Sequence, residues 1–302
     1  KCKIKLYNLR HVGLKMKYNL DILPSIIEPI VRLALNEDFG NYGDITSSLL
    51  VPKSAQNKLY IRSRSDGIIS GLQPARMTYE LIDSTVKFTP RLKDSESVKK
   101  GDLIATVEGS ALSLLAGERI ALNFMGRLSG IATLTAKYVA LVKGTNTRIA
   151  ATRKTTPGLR ALEKQAVLAG GGFTHRGSLS SSIMIKDNHV AFAGGMENAL
   201  NTINKNADHM AHVNIEVDNI DQLDVVLKYS PDVILLDNMS PEDLSHAVKI
   251  IRSCDSCSPK IEASGNVSLG KVERISKTGV DIISIGSLTH SSQNFDLGMD
   301  SN

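Results

Sequence analysis

The chain has 302 residues, 42% hydrophobic and 22% charged, an ordinary globular composition with room for one large α/β barrel or two domains. No apolar run approaches the roughly 18 residues needed to cross a bilayer. The formal charge is +5, yet six cations and no acid fall within the first 17 residues, leaving −1 for the rest; a nucleic-acid-binding face spread over the folded chain loses its support.

The basic leader, residues 1–17, starts with Lys1 and has no acid before Asp21. It reads as an extension without a catalytic role, disordered or left from cloning, with a transit peptide as the alternative and Met16 as a candidate start. The three cysteines, Cys2, Cys254 and Cys257, are too few for a disulfide framework and fit a reducing, cytoplasmic compartment. Cys254 and Cys257 have CxxC spacing, but no second CxxC or His pair accompanies them, so they read as free thiols in a loop before a strand.

From Pro24 the apolar spacing predicts an amphipathic helix ending near Phe39 and Gly40, followed by a turn at Gly43 to Ser47. Strand-like runs follow at 57–62, 67–70, 85–89 and 103–107, with a helix at 73–82. Short strands with interleaved helices suggest an α+β module over 18–115. Residues 111–143 keep helical spacing through Gly126 and Gly130, predicting one broken helix or two in succession. Arg127 within it reads as a solvated or paired surface charge.

Beyond residue 147 the pattern becomes periodic. Strands are predicted at 148–151, 182–185, 213–217, 232–236, 260–263 and 281–285, alternating with helices at 159–168, 196–206, 220–229, 241–251 and 269–278. Strands this apolar require a buried parallel sheet, either an open doubly wound sheet or a barrel. Six units fall short of eight, so an irregular, incomplete barrel is preferred.

In such a sheet the residues just past the strand carboxyl ends share one face. That rule gathers Arg153 and Lys154, Lys186 and Asp187, Glu216, Asp237, Glu262 with Ser264 and Gly265, and Gly286 with Ser287 and His290. The early strands give a basic half suited to carboxylates or phosphates. The later ones give carboxylates suited to Mg²⁺ or ribose hydroxyls, and glycine turns before helices whose N–H groups suit a phosphate.

The segments GERIALNFMGRLSGIATLT (117–135), ATRKTTPGLRALEKQAVLAGGGFTHR (151–176), IMIKDNH (183–189), VILLDNMSPEDL (233–244), IEASGN (261–266) and GVDIISIGSLTHS (279–291), with NEDFGNYGDITS (36–47), resemble the quinolinate phosphoribosyltransferase family. The resemblance implies an N-terminal open-faced α/β sandwich domain, residues 18–115, and an irregular, incomplete TIM-like α/β barrel, residues 116–290, with the tail from about 288 to 302 packing back on the first domain. It implies phosphoribosyl transfer from phosphoribosyl pyrophosphate to quinolinate with Mg²⁺, giving nicotinate mononucleotide, pyrophosphate and CO₂.

By position, the resemblance puts Arg153, Lys154, His175, Arg176 and Lys186 at quinolinate, joined by Arg119 from a partner subunit of a homodimer or higher oligomer. Lys154, Lys186, Glu216, Asp237, Ser264, Gly265, Gly286 and His290 fall to phosphoribosyl pyrophosphate. Glu216 and Asp237 hold Mg²⁺, directly or through water, and Lys154 stands nearest the carbon that is reprotonated. Nucleic acid and membrane are not expected partners. Thr174, Ser181 and Asn266 stand where the family often has Asn, Asp and Gly. Other readings are a phosphoribosyltransferase for another base, a Schiff-base aldolase using Lys186, and a polyanion binder using the leader.

Overall fold

The computed structural model describes residues 21–301; the leader at 1–17, with Met16 and Cys2, lies outside the described residues. The first helix, α1 (Pro24–Phe39), begins at a proline, whose missing N–H costs nothing at a helix start, and buries Ile27, Val31 and Leu35 along one stripe. The predicted turn at 43–47 is in fact the start of a second helix, α2 (Ile45–Leu50). The Asp44 carboxylate accepts the Ser47 N–H at 2.9 Å and caps it.

The next segment supplies β1 (Gln56–Ser63), β2 (Gly67–Ile68), α3 (Leu72–Ile82), β3 (Lys87–Pro90), β4 (Ser97–Val98) and β5 (Leu103–Ser110). An antiparallel sheet results, with α3 against a core of Leu59, Ile61, Tyr79, Ile104 and Val107. The Asp94 carboxylate receives the N–H groups of Gly71 and Leu72 at 3.2 Å and so starts α3.

One continuous helix, α4 (Ala111–Leu141), then crosses into the second half, without the predicted break. Its glycines serve close approach instead. A Cβ on Gly130 would stand 2.0 Å from the Gln293 carbonyl oxygen, and one on Gly126 would stand 3.1 Å from that of Phe295. Arg127 on the same helix is no surface charge. It is half-buried and ion-paired to the buried Glu163.

The second half follows the βα rhythm: β6 (Arg148–Ala150), α5 (Arg160–Ala169), β7 (Ile183–Ile185), α6 (Asp187–Phe192), α7 (Met196–Asn206), β8 (Val213–Val217), α8 (Leu223–Val226), β9 (Val233–Asp237), α9 (Pro241–Arg252), β10 (Lys260–Ser264), α10 (Leu269–Ser276), β11 (Ile282–Ser284) and α11 (Ser287–His290). All six strands are parallel, in the order β6-β11-β10-β9-β8-β7. Central residues such as Ile215, Ile234, Leu236 and Ile261 are fully buried, as a parallel sheet covered on both faces requires. The sheet does not close, since β6 and β7 are its ends.

The chain finishes in β12 (Leu297–Asp300), which returns to the first sheet and pairs antiparallel with β1, Tyr60 opposite Asp300. That sheet runs β12-β1-β5-β3.

Candidate active site

A cavity of about 670 Å³ opens at the carboxyl ends of the parallel strands, where loops of this architecture meet. Arg153, Lys154, His175, Arg176, Lys186, Glu216, Asp237, Ser264, Gly265, Gly286 and His290 all line it. Arg119 does not; it is exposed on α4.

The basic wall comes from two segments. After β6 the chain turns through Thr152, whose hydroxyl accepts the Lys154 N–H at 3.0 Å. Arg153 is aimed inward, with a buried Nε that has no protein partner. Such a donor normally finds one, and a carboxylate in the cavity would supply it.

The second segment runs from Phe173, which pairs by a bridge with Ala150, to His175 and Arg176. Lys164 on α5, almost fully buried, donates to the carbonyl oxygens of His175 and Arg176, both at 2.5 Å. Burial, then the nearby Arg160, Arg153 and Arg176, bring its pKa down to about 8. Burial and Arg153 likewise lower that of Arg176.

His175 Nδ1 accepts the Arg176 N–H at 2.8 Å, which leaves the ring proton on Nε2. Nε2 stands 3.5 Å from Glu262 Oε1. That oxygen is buried and has no hydrogen-bond partner. Glu262 thus lies beside His175 at the cavity, and the hydrogen bond from the Arg176 N–H is what holds the ring.

The acidic wall is built on neighbouring strands. Glu216 on β8 is buried and ion-paired with Lys186 Nζ. Burial raises its pKa while Lys186 pulls it down. Asp237 ends β9, and Asp218 lies just past β8. One oxygen from each of Glu216, Asp218 and Asp237 can be chosen so that all three fall within 4.8 Å of one another. Sequence reasoning missed Asp218, although residues two apart on a strand share a face and Glu216 was already in hand.

The phosphate side is a glycine turn. Gly265 has φ +92° and a Cβ there would meet the Asn238 side chain at 2.2 Å and its backbone N at 2.7 Å, so no side chain fits. Asn266 adopts φ 46°, a left-handed conformation that Asn accepts more readily than most residues; the replacement of the family's frequent Gly therefore keeps the turn. Its side-chain amide donates to Asn238 Oδ1 at 3.1 Å. Ser181, in place of Asp, accepts the Ser178 N–H at 3.0 Å and so caps its loop. Thr174 is exposed and makes no contact that explains its identity.

Thr152, Met184, Leu235, Val267, Ser284 and Ile285 also line the cavity without having been singled out as site residues, since none is charged. They shape the space, and Met184, Leu235, Val267 and Ile285 supply its apolar surface.

Comparison with known proteins agrees over most of the chain. Residues 44–129 match the family model described as quinolinate phosphoribosyl transferase, N-terminal domain, and residues 131–300 the one described as its C-terminal domain. A probable nicotinate-nucleotide pyrophosphorylase [carboxylating] of Bacillus subtilis is 40% identical over 265 residues, 87% of this chain and 89% of that one. A quinolinate phosphoribosyltransferase [decarboxylating] of Nicotiana tabacum is 38% identical over 291 residues, 90% of this chain and 81% of its own. The solved nicotinate-nucleotide pyrophosphorylase of Francisella tularensis superposes with a TM-score of 0.87 at 35% identity, covering 93% of this chain and 97% of that one.

Proposed function

This chain belongs to the quinolinate phosphoribosyltransferase family, and from that premise we propose how its cavity divides the work of the reaction. The enzyme transfers phosphoribosyl from phosphoribosyl pyrophosphate to quinolinate with decarboxylation, giving nicotinate mononucleotide, pyrophosphate and CO₂. The observation that carries the reading is the gathering of Arg153, Lys154, His175, Arg176 and Lys186 opposite Glu216 and Asp237 in one cavity. Two polyanions held side by side repel each other unless cations surround them.

Arg153, His175 and Arg176 take the two carboxylates of quinolinate, Arg153 Nε finding there the acceptor it lacks. Lys154 and Lys186 stand between the pyridine dicarboxylate and the pyrophosphate, and the turns at Ser264, Gly265, Gly286 and His290 receive the ribose phosphate. The pyridine nitrogen attacks the anomeric carbon as its bond to pyrophosphate breaks, through an oxocarbenium-like transition state. Lys154 and Lys186 stabilise charge that grows on the leaving oxygen, and preorganised cations act most strongly at that point. The resulting pyridinium nitrogen accepts the electron pair released as CO₂ departs. A proton from Lys154 Nζ then closes the ring carbon, and solvent restores it.

The donor set fits Mg²⁺: Lys186 balances only one of three carboxylates whose oxygens can come within 4.8 Å of one another, and all-oxygen ligands suit a hard ion. Glu216, Asp218 and Asp237 would hold it, directly or through water, and it would supply charge neutralisation for the pyrophosphate. Arg119, exposed and outside the cavity, belongs in this reading to a partner's site, in a homodimer with shared active sites. Three cysteines in 302 residues support a reducing compartment such as the cytoplasm.

The test is incubation with quinolinate, phosphoribosyl pyrophosphate and Mg²⁺, with nicotinate in place of quinolinate as control. Nicotinate mononucleotide with release of CO₂ is expected. Product from nicotinate alone would overturn the substrate, and no product from either would overturn the reaction.

A further inference from the structure

The loop from Ser253 to Pro259, between α9 and β10, carries Cys254 and Cys257, which the reaction does not use. Their sulfur atoms are 2.8 Å apart, and Cys254 Sγ is 3.3 Å from Ser256 Oγ. Both are half-buried rather than packed into a core, so small solutes reach them.

The approach of the two sulfurs is built into the fold. Arg252 at the end of α9 donates to the Pro259 carbonyl oxygen at 3.0 Å and to the Asp281 carboxylate at 2.6 Å. Lys260, the first residue of β10, lies 3.4 Å from the same carboxylate. Both ends of the loop are therefore pinned to one acid, Asp281, just before the neighbouring strand β11. The loop enters the amino end of β10, whereas the cavity lies past its carboxyl end at Ser264. At about 3.3 Å per residue, the length of the strand separates them.

We propose that Cys254 and Cys257 form a reversible thiol–disulfide exchange site on the side of the parallel sheet away from the active site, with low-molecular-weight disulfides as co-reactant, Cys254 as the attacking sulfur and Cys257 as the resolving one. In the first step the Cys254 thiolate attacks one sulfur of the disulfide RSSR. A mixed disulfide forms and RS⁻ leaves, taking up the proton that Cys254 released. In the second step Cys257 loses its proton and attacks Cys254 Sγ, expelling the other RS⁻, which is protonated in turn. Two protein thiols are oxidised to one disulfide, and one small disulfide is reduced to two thiols.

The order of attack follows from the environment of each sulfur. Hydrogen bonds from Cys257 and Ser256 bring the Cys254 thiol down to about 7, while burial and the neighbouring Cys254 push Cys257 up to about 11. The thiolate is the nucleophile, so Cys254 reacts first. The pair follows the C-terminal end of α9, where the helix dipole does not favour a thiolate. The hydrogen bonds from Cys257 and Ser256 therefore carry the stabilisation of the Cys254 thiolate, and with it the ease with which the disulfide is reduced again. A metal site is the weaker use: among the described residues the only cluster of three or more metal-ligating side chains is at Glu216, Asp218 and Asp237.

The experiment uses the full chain with Cys2→Ser, so that only the loop thiols report, treated with oxidised glutathione and mapped by peptide mass. The parent should end with two hydrogens lost from the loop peptide and no glutathione retained. With Cys257→Ser added, one glutathione should stay on Cys254; with Cys254→Ser instead, Cys257 should react at least about tenfold more slowly. Phosphoribosyl transfer by both variants should match the parent, which shows that each is folded. Glutathione retained by the parent, no reaction at all, or equal rates at the two cysteines would each overturn the proposal.

Discussion

Arg127 on α4 and Glu163 on α5 meet in a two-pronged ion pair, with Nε and Nη2 donating to the same carboxylate oxygen at 3.0 and 2.7 Å. Glu163 is fully buried and also accepts the Thr156 N–H at 3.0 Å and hydroxyl at 2.8 Å. Arg127 reaches on to Ser292 Oγ at 3.1 Å and to the Thr289 carbonyl, while the Thr289 hydroxyl donates to the Lys154 carbonyl at 2.6 Å. One buried pair thus ties the Lys154 loop to α11.

Removing one member strands a buried charge. Arg127→Ala should cost about 3–5 kcal/mol in urea unfolding, and replacing both with apolar residues, Arg127→Met with Glu163→Leu, should recover most of it. An Arg127→Ala protein as stable as the parent would show that water reaches Glu163.

The assignment of arginines to quinolinate predicts that Arg153→Ala and Arg119→Ala each lose at least about tenfold in kcat/KM, roughly 1.4 kcal/mol. Mixing inactive Arg119→Ala and Lys186→Ala chains should restore part of the activity if sites are shared. Absence of rescue in verified heterodimers would place Arg119 outside the reaction.

Lys164 predicts a pH dependence. Its folded pKa of about 8 lies below the ordinary 10.5, so between these values the unfolded chain binds the extra proton. Stability therefore rises with pH across that window, and the full penalty is present below about 8. Unfolding free energies at both ends of the window should differ more in the parent than in Lys164→Met. An identical slope in the two proteins would remove Lys164 as the cause.

Asp218 predicts a metal effect. Asp218→Asn should raise the Mg²⁺ concentration for half-maximal activity about tenfold, as loss of an oxygen near a metal commonly does, with a smaller change at saturating Mg²⁺. An unchanged Mg²⁺ curve would show that Glu216 and Asp237 suffice.

Much of this site was legible in sequence because a parallel sheet turns chain order into geometry. An apolar strand ending in Arg153, Lys186, Glu216 or Asp237 places that side chain on one rim, whichever order the strands take. Residues whose role depends on a distant segment were opaque. Gly130 looked like a helix breaker, but it is small because Gln293, far along the chain, passes against it. Arg127 looked exposed because its partner Glu163 belongs to another helix, and Glu262 could be placed at a strand end but not beside His175. The short helices α2 and α6 escaped because six residues hold too few turns to show a period.

The return of β12 to β1 has a consequence for biosynthesis. The segment that covers the outer edge of β1 leaves the ribosome roughly 240 residues after its partner by their register. At synthesis rates of about 5–20 residues per second, the first sheet waits with an open edge for some tens of seconds or so while the parallel half is made. An uncovered edge invites pairing with other nascent chains, which makes this interval the one in which a chaperone has most to protect.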